Sequence, residues 1–449
     1  MENNLPEGWT ETLLNDVVLF QEGPGLRTIQ MGITGMPFLN IRTFNDDETL
    51  DKSKCKFVKM EEFKNKYEHF LLNEGDIVVS SSGTLGKAIV IRKEDLPIML
   101  NTSVIRFRSV SEEIMTQKYL KYFLKSDLFY KQIQEQKTGM AIDNYGPSHL
   151  QVMQIVIPPL LEQDRIVAKL DALMQKVESN KQRLNKIPKL LKRFRQSVLA
   201  NAMSGAFSEE WRAKHTVEEK WKEIKLGSIA SLITSGSRGW AKYYAESGSA
   251  FVRAQNISKD FLDLSDIAFV KLPEKSEGIR TLINKGDILV TITGANVTKT
   301  AFVNFDIKDA YVSQHVCLVR LKKNIFSEFV YLFLLCESHG RKQLLSLAYG
   351  QGKPQLNLEN IKNVDILFPP LEEQKEIVKR VEQLFALADK IEARYTKTKA
   401  MLDKLPQTIL AKAFRGELVP QDANDEPASA LLERIKAEKE KKTTFKKTK

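Results

Sequence analysis

The chain has 449 residues, 42% hydrophobic and 28% charged, which supplies two or three packed domains and excludes an extended disordered protein. Lys and Arg number 68 against 57 Asp and Glu, giving a net charge of +11 and a pI near 9.2, a balance that favours a polyanionic partner. Three dispersed cysteines, Cys55, Cys317 and Cys336, exclude a disulfide framework and a cysteine zinc site.

The opening, Met1 to Trp9, is polar and acidic where a secretion signal would be basic and then apolar. Apolar runs such as Tyr331 to Cys336 are far too short to span a bilayer. The expectation is a soluble, cytoplasmic protein without membrane contact. β-branched runs then predict strands over Asp76–Ser80 and Lys87–Ile91, around the turn Ser81-Ser82-Gly83-Thr84, and over Val104–Arg108. A short helix is predicted over Gln117–Ser126.

After Pro158-Pro159 the period changes. Apolar residues recur at Ile166, Leu170, Leu173, Val177, Leu184, Ile187, Leu191, Phe194 and Val198, a heptad seam with Asn180 at the missing step. About 40 residues of helix at 1.5 Å each extend roughly 60 Å, longer than a helix packed on its own domain needs. Asn180 fits either a register-setting polar residue or one facing water.

The second half repeats the first. Gly75-Asp76-Ile77 falls on Gly286-Asp287-Ile288, an offset of 211 (75 to 286), and the same offset carries Pro158-Pro159-Leu160 onto Pro369-Pro370-Leu371 and Gly205 onto Gly416. Strands are predicted over Asp287–Thr293, Thr300–Val303 and Val316–Arg320, and a helix over Ser327–Glu337. A second seam runs through Ile377, Val381, Leu384, Ala388, Ile391, Tyr395, Leu402, Leu405 and Ile409. A period this long is a duplicated domain, not a solenoid.

The expected architecture is α+β, with two tandem α+β domains and two long helices pairing as an antiparallel coiled coil. The divisions are 1–157, 158–207, 208–368, 369–418 and a tail 419–449 whose basic end is expected to be disordered. Pro188 and Pro406 should kink or interrupt the helices.

Duplicated frames suit a ligand that is itself divided in two, and the loops carry groups that suit nucleic acid. The strongest candidates lie in the loop 234–244: Ser237, Arg238, Trp240, Lys242 and Tyr243. The same residues fit a surface turn with Trp240 packed underneath. Asn296, Thr298 and Lys299, and their counterparts Ser81, Ser82, Thr84 and Lys87, could grip phosphate or form ordinary hairpin turns. Arg253, Gln255 and Asn256 match the region of Asn40 and Arg42. Arg27 and Gln30 match the loop around Arg238. Ser313, Gln314 and His315 stand against Asn101, Thr102 and Ser103, and Lys353 and Gln355 against Tyr145. The helix segment Lys181–Arg195 holds seven basic residues and no acid, fitting a phosphate track, a partner-binding face or a solvated one.

At Ile157-Pro-Pro-Leu-Leu-Glu-Gln163 and Phe368-Pro-Pro-Leu-Glu-Glu-Gln374, followed by the heptads, the chain resembles the specificity subunits of type I restriction-modification systems. The Pro6-Glu-Gly-Trp9 opening, the Gly-Asp-Ile strands and the helix ends Leu199 to Gly205 and Leu410 to Gly416 are similar as well, so the resemblance covers nearly the whole chain. It implies two target recognition domains, each reading one half of a bipartite, asymmetric double-stranded DNA target, with the helix pair setting the spacer. It implies as partners two modification subunits, which are S-adenosylmethionine-dependent adenine-N6 methyltransferases, and restriction subunits using ATP and Mg²⁺.

The sequence itself carries no Asn/Asp-Pro-Pro-Tyr/Phe methyltransferase motif, no Walker-type loop and no metal-ligand spacing among its five histidines, so no catalytic site, metal or cofactor is expected in this chain. Two competing readings stay open: a cryptic nuclease in one α+β domain, and a coiled-coil scaffold that binds DNA nonspecifically.

Overall fold

A computed structural model of the chain describes residues 5–45, 47–82, 87–135, 144–215, 220–273, 279–434 and 437. The chain divides into two compact units, residues 1–184 with 398–449, and residues 185–397. Each contains one α+β domain and parts of both long helices.

In the first unit, a four-stranded antiparallel sheet has the order Val18–Glu22, Val104–Ser109, Ile77–Ser80, Ala88–Val90. A smaller sheet joins Met31–Gly32, Lys56–Val58 and Met36–Phe38. The strands Thr10–Leu13 and Gln154–Ile157 pair antiparallel, closing the domain's start on its end. Ile77, Val79, Ile105 and Phe107 from the large sheet pack with Tyr119, Leu120 and Phe123 of the helix Gln117–Leu124. The same core takes in Ile166, Leu170 and Val177 of one long helix and Leu402, Ile409 and Ala413 of the other.

The second unit repeats this plan. Its sheet has the order Ala230–Ser235, Val316–Leu321, Ile288–Thr291, Thr300–Phe302, and Lys222–Lys225 pairs with Asp365–Phe368. The smaller sheet gains a fourth strand, Ala310–Val312, which runs parallel to Ser249–Val252. The predicted helix is present as Ser327–Leu335.

The Gly-Asp-Ile motif explains itself in both copies. Gly75 and Gly286 take φ of 85° and 89°, where a side chain would be strained. The aspartate then turns back: Asp76 Oδ2 accepts from Asn73 N at 2.8 Å and Asp287 Oδ2 from Asn284 N at 2.7 Å. Each carboxylate also holds an arginine on the neighbouring strand, Arg108 Nε at 2.9 Å and Arg320 Nε at 2.8 Å. The motif therefore locks a turn to a central strand.

The helix-start motifs are also structural. Trp9 Nε1 donates to Glu162 Oε2 at 3.1 Å, and Trp221 Nε1 to Glu373 Oε1 at 2.9 Å. Gln163 and Gln374 donate to the carbonyls of Pro158 and Pro369 at 3.1 and 2.7 Å. Acids in a helix's first turn meet the positive end of its dipole. The two copies differ in charge balance. Glu373 also pairs with Arg212 at 3.2 Å, whereas burial pushes the Glu162 carboxyl above its ordinary value of 4.5. With a raised folded-state value, the stability linked to Glu162 is fully present below pH 4.5 and falls as pH rises through the folded value. Glu162→Gln should therefore gain stability relative to the wild type between pH 4 and pH 8, measured as the difference in Tm across that range. A difference that stays flat or shrinks would contradict this assignment.

Within each unit the two long helices run antiparallel. In the first, Lys181 reaches Asp403 at 3.9 Å while the earlier Arg165 meets the later Asp425. In the second, Arg195 holds Asp389 at 2.6 Å and Glu392 at 2.8 Å, and Val198 and Ala202 share a core with Ile377 and Val381. Of the predicted seam, Ile166, Leu170, Val177, Leu191, Ile377, Val381, Leu402 and Ile409 are buried, and Leu173, Leu184 and Leu384 are half-buried. Ile391 departs from expectation, being 40% exposed, and Asn180 is exposed rather than enclosed at a seam. A helix pair covers only a narrow stripe, so full burial occurs where a helix such as Gln117–Leu124 or Ser327–Leu335 adds a third wall.

The prolines act differently from one another. The first helix breaks after Leu184 and resumes as Ile187–Met203, with Pro188 in its first turn, where the missing N–H is harmless. The second, Leu371–Ala413, continues through Pro406, against the expected interruption. In the tail, Ala428 and Leu432 are buried and Ala428 N donates to Gly8 O, so residues 419–434 are part of the first unit; most of the basic end lies outside the described residues.

Candidate nucleic-acid interface

In the second unit, the loop after Ala230–Ser235 leaves the sheet at Gly236. A Cβ there would lie 2.1 Å from Val312 O and 2.8 Å from Gln314 N, so glycine allows two backbones to touch. Gly23 does the same against Asn101 in the first unit. The loop 236–244 is thus pinned beside Ser313, Gln314 and His315. Between them lies a cavity of 340 Å³ walled by Trp240, Phe251, Arg253, Gln255, Gln314 and His315, among others.

Its electrostatics are specific. Arg253 Nη2 donates to Asp266 O at 2.8 Å and Gln255 Nε2 to Asp266 Oδ2 at 2.8 Å, so one exposed acid aims both side chains. Arg253 Nε and Ser313 Oγ are buried without a partner. Burial, then the charge of Lys353, hold His315 below its ordinary value of 6.5, so the ring is neutral at pH 7. Its Nε2 lies 3.2 Å from Gln314 Nε2, so ring and amide share one edge of the cavity. The Gln314 amide and a neutral imidazole over an aromatic floor can satisfy the edge and face of a base.

The structure corrects several expected contacts. Trp240 is buried and stacks on Phe251 with centroids 5.6 Å apart, so it supports the loop from beneath. Asn256, buried, donates to Asp263 O and Asp266 O. Ser81, Thr298 and Tyr145 are buried, the last with its hydroxyl unpartnered. Gln30 is bonded to Glu62 and Tyr67, Asn40 to Lys54 O, Asn101 to Ser103 and Asn296 to Ala254 O, so these amides shape loops. Lys299 is paired with Asp260 at 3.0 Å. Arg27, Arg42, Thr102, Arg238, Lys242, Gln255, Lys353 and Gln355 are exposed, while Ser82, Lys87, Ser237, Tyr243, Gln314 and His315 are half-exposed. Thr84 lies outside the described residues. The basic stretch Lys181–Arg195 is partly neutralised by Asp403, Glu337, Asp389 and Glu392, which weakens the phosphate-track reading.

Sequence reasoning missed the anchors. Asp266 gave no signal because its partners lie elsewhere on the loop. Asp260 accepts from Arg341, Lys299 and Thr300 N, with Arg341 holding its carboxyl below the usual range against the opposing effect of burial. These partners are distant in sequence; only the positive φ of 64° at Asp260 marks a special position. Among the described residues no cluster of ligating side chains could hold a metal, and no helix is long and apolar enough to cross a membrane.

Comparison with known proteins supplies the context. The profile of the type I restriction modification DNA specificity domain matches residues 6–189 and again 218–399. The chain is 33% identical to the StySPI specificity subunit of Salmonella potsdam, covering 99% of each chain, and 30% identical to the EcoKI specificity subunit of Escherichia coli K12, covering 97% of this chain and 96% of that one. In fold it is similar to a chain solved in a study of type I R-M complex assembly, with TM-score 0.70, 20% identity and 92% and 99% of the two chains covered. It is also similar to the HsdS subunit of Thermoanaerobacter tengcongensis, with TM-score 0.57, 20% identity and coverage of 92% and 98%. Two profile matches in tandem, on two copies of one scaffold, show that the chain belongs to the family of type I restriction enzyme specificity subunits.

Proposed function

We propose that this chain is the reader of a type I restriction-modification complex, each α+β domain recognising one half of a bipartite, asymmetric DNA target. The observation that carries the reading is one scaffold used twice with unlike chemistry in its loops: Gln314 and His315 stand where the first domain has Thr102 and Ser103, on strands of matching register. Equal frames with unequal loops suit two unequal half-sites.

The spacer is set by the helices, of which Leu371–Ala413 alone extends about 64 Å at 1.5 Å per residue. Two adenine-N6 methyltransferase subunits bring S-adenosylmethionine, and restriction subunits bring ATP and Mg²⁺, in the cytoplasm. The chain's own residues bind and orient DNA. Arg238, Lys242 and Lys353 supply charge for phosphates, while Arg253, Gln255, Gln314 and His315 face base edges; Arg27, Arg42 and Thr102 do the corresponding work in the first domain.

The test is co-expression with the methyltransferase partners in a host lacking adenine methylation, followed by long-read mapping of N6-methyladenine. One bipartite, asymmetric motif is expected. Methylation without a shared motif would refute the reading.

A further inference from the structure

Met31–Gly32 and Met36–Phe38 flank Lys56–Val58 on its two edges, and Tyr244–Ala245 and Ser249–Val252 flank Ala268–Val270 in the same way. Met31 and Met36 both pair with Val58, and Tyr244 and Ser249 both pair with Val270. Each crossing segment ends on a glycine, Gly35 at φ 144° and Gly248 at φ 140°, so close to the central strand that a Cβ would lie 2.0 Å from Val58 O or 2.5 Å from Val270 O. This fixes the correspondence. Ile33 stands where Glu246 stands, and Ile29, in the turn Thr28–Gln30, stands where Lys242 stands in the turn Trp240–Tyr243.

Ile33 is 95% exposed and Ile29 77%, the two most exposed large hydrophobic side chains among the described residues. Left in water, side chains this exposed gain little burial on folding, and the other domain carries charged residues, Lys242 and Glu246, at both positions. They therefore point to an apolar group on a partner. Two isoleucines are too little surface for the core of a stable protein interface. The exposed cations Arg27, two residues before Ile29, and Lys59, whose N donates to Gln30 O, complement phosphate. In the major groove the apolar group that distinguishes one base pair from another is the thymine C5-methyl.

We propose that Ile33 and Ile29 read thymine methyl groups in the half-site assigned to the first domain, an inference that rests on that domain being a DNA reader. The probe is a duplex carrying the mapped motif, with thymines of that half-site replaced singly by deoxyuridine, which removes only the methyl. For the wild-type complex, at least one replacement should weaken binding about tenfold, the scale of one apolar methyl in a fitted site. The double variant Ile29→Ala/Ile33→Ala should lose binding on the thymine duplex and lose nothing further on a duplex in which every thymine of that half-site is deoxyuridine.

The proposal is overturned if the half-site has no thymine on either strand, if every deoxyuridine duplex binds the wild type normally, if the two losses multiply, or if the variant loses its methyltransferase partner instead of DNA. The wild-type arm stands whether or not the variant folds. Absence of any motif in the wild-type map would fail the reader assignment itself, whereas a clear motif with unaffected binding fails only this inference.

Discussion

Replacing residues 1–157 with the matching segment of a relative that has a different target should change one half of the methylated motif and leave the other half and the spacer length as they were. The exchanged piece is mechanically complete: the closing pair Thr10–Leu13 with Gln154–Ile157 lies wholly inside it, so no strand pairing is cut. At the helix start the joint is crossed by Trp9 to Glu162, which a donor segment with the same tryptophan restores, and by Gln163, which accepts from Thr116 N and donates to Ile114 O, backbone groups that any donor segment supplies. Each mismatched base pair costs about 1–3 kcal/mol, so several changed positions should lower methylation of the original motif by orders of magnitude. Arg238→Ala is the converse experiment. It should weaken only the other half-site, because Arg238 is exposed on the loop 236–244 of the second domain. Long-read mapping of both proteins decides: if the exchange alters both halves, or neither, the division of labour is wrong.

The duplicated frame was legible because hydrophobic period and turn chemistry are local. Ile288–Thr291, Thr300–Phe302 and Val316–Leu321 fall within or beside their predicted spans, and Gly286-Asp287 announces a turn whose cause is visible in three residues. The interface was less legible, since exposure is a property of the folded surface. Trp240, Asn256, Thr298 and Tyr145 have the residue types of DNA contacts, yet the packing of Phe251 and Tyr311 around Trp240, and carbonyls around Asn256, assign them to support. Ile33 gave no signal in the sequence, since its 95% exposure follows from its place in the segment that crosses from Met31–Gly32 to Met36–Phe38. Pro406 shows the limit of a local rule, for tertiary packing of Leu402, Ile409 and Ala413 keeps the helix formed around it.

Arg320→Met should strongly destabilise the second unit, costing about 3–5 kcal/mol, the scale for stranding one partner of a buried ion pair. The Asp287 side chain is 1% exposed and accepts from Asn284 N and from the Nε and Nη2 of Arg320, the last two at 2.8 and 2.7 Å. Removing the arginine leaves a carboxylate in the core with one backbone donor. The first domain offers an internal control: Asp76 is held by both Arg106 and Arg108, so Arg108→Met leaves a second cation 3.5 Å away and should cost clearly less. At roughly 2–4 °C per kcal/mol for a unit of this size, Arg320→Met should lower Tm by about 6–20 °C. Equal losses in the two variants would refute the argument from redundancy. The consequence reaches the reading surface, because Arg320 sits on the strand Val316–Leu321, which begins directly after Ser313, Gln314 and His315. If the cavity beside Gln314 and His315 is the reading site proposed above, then at temperatures where Arg320→Met is still folded, discrimination within the second half-site should be poorer than in the wild type.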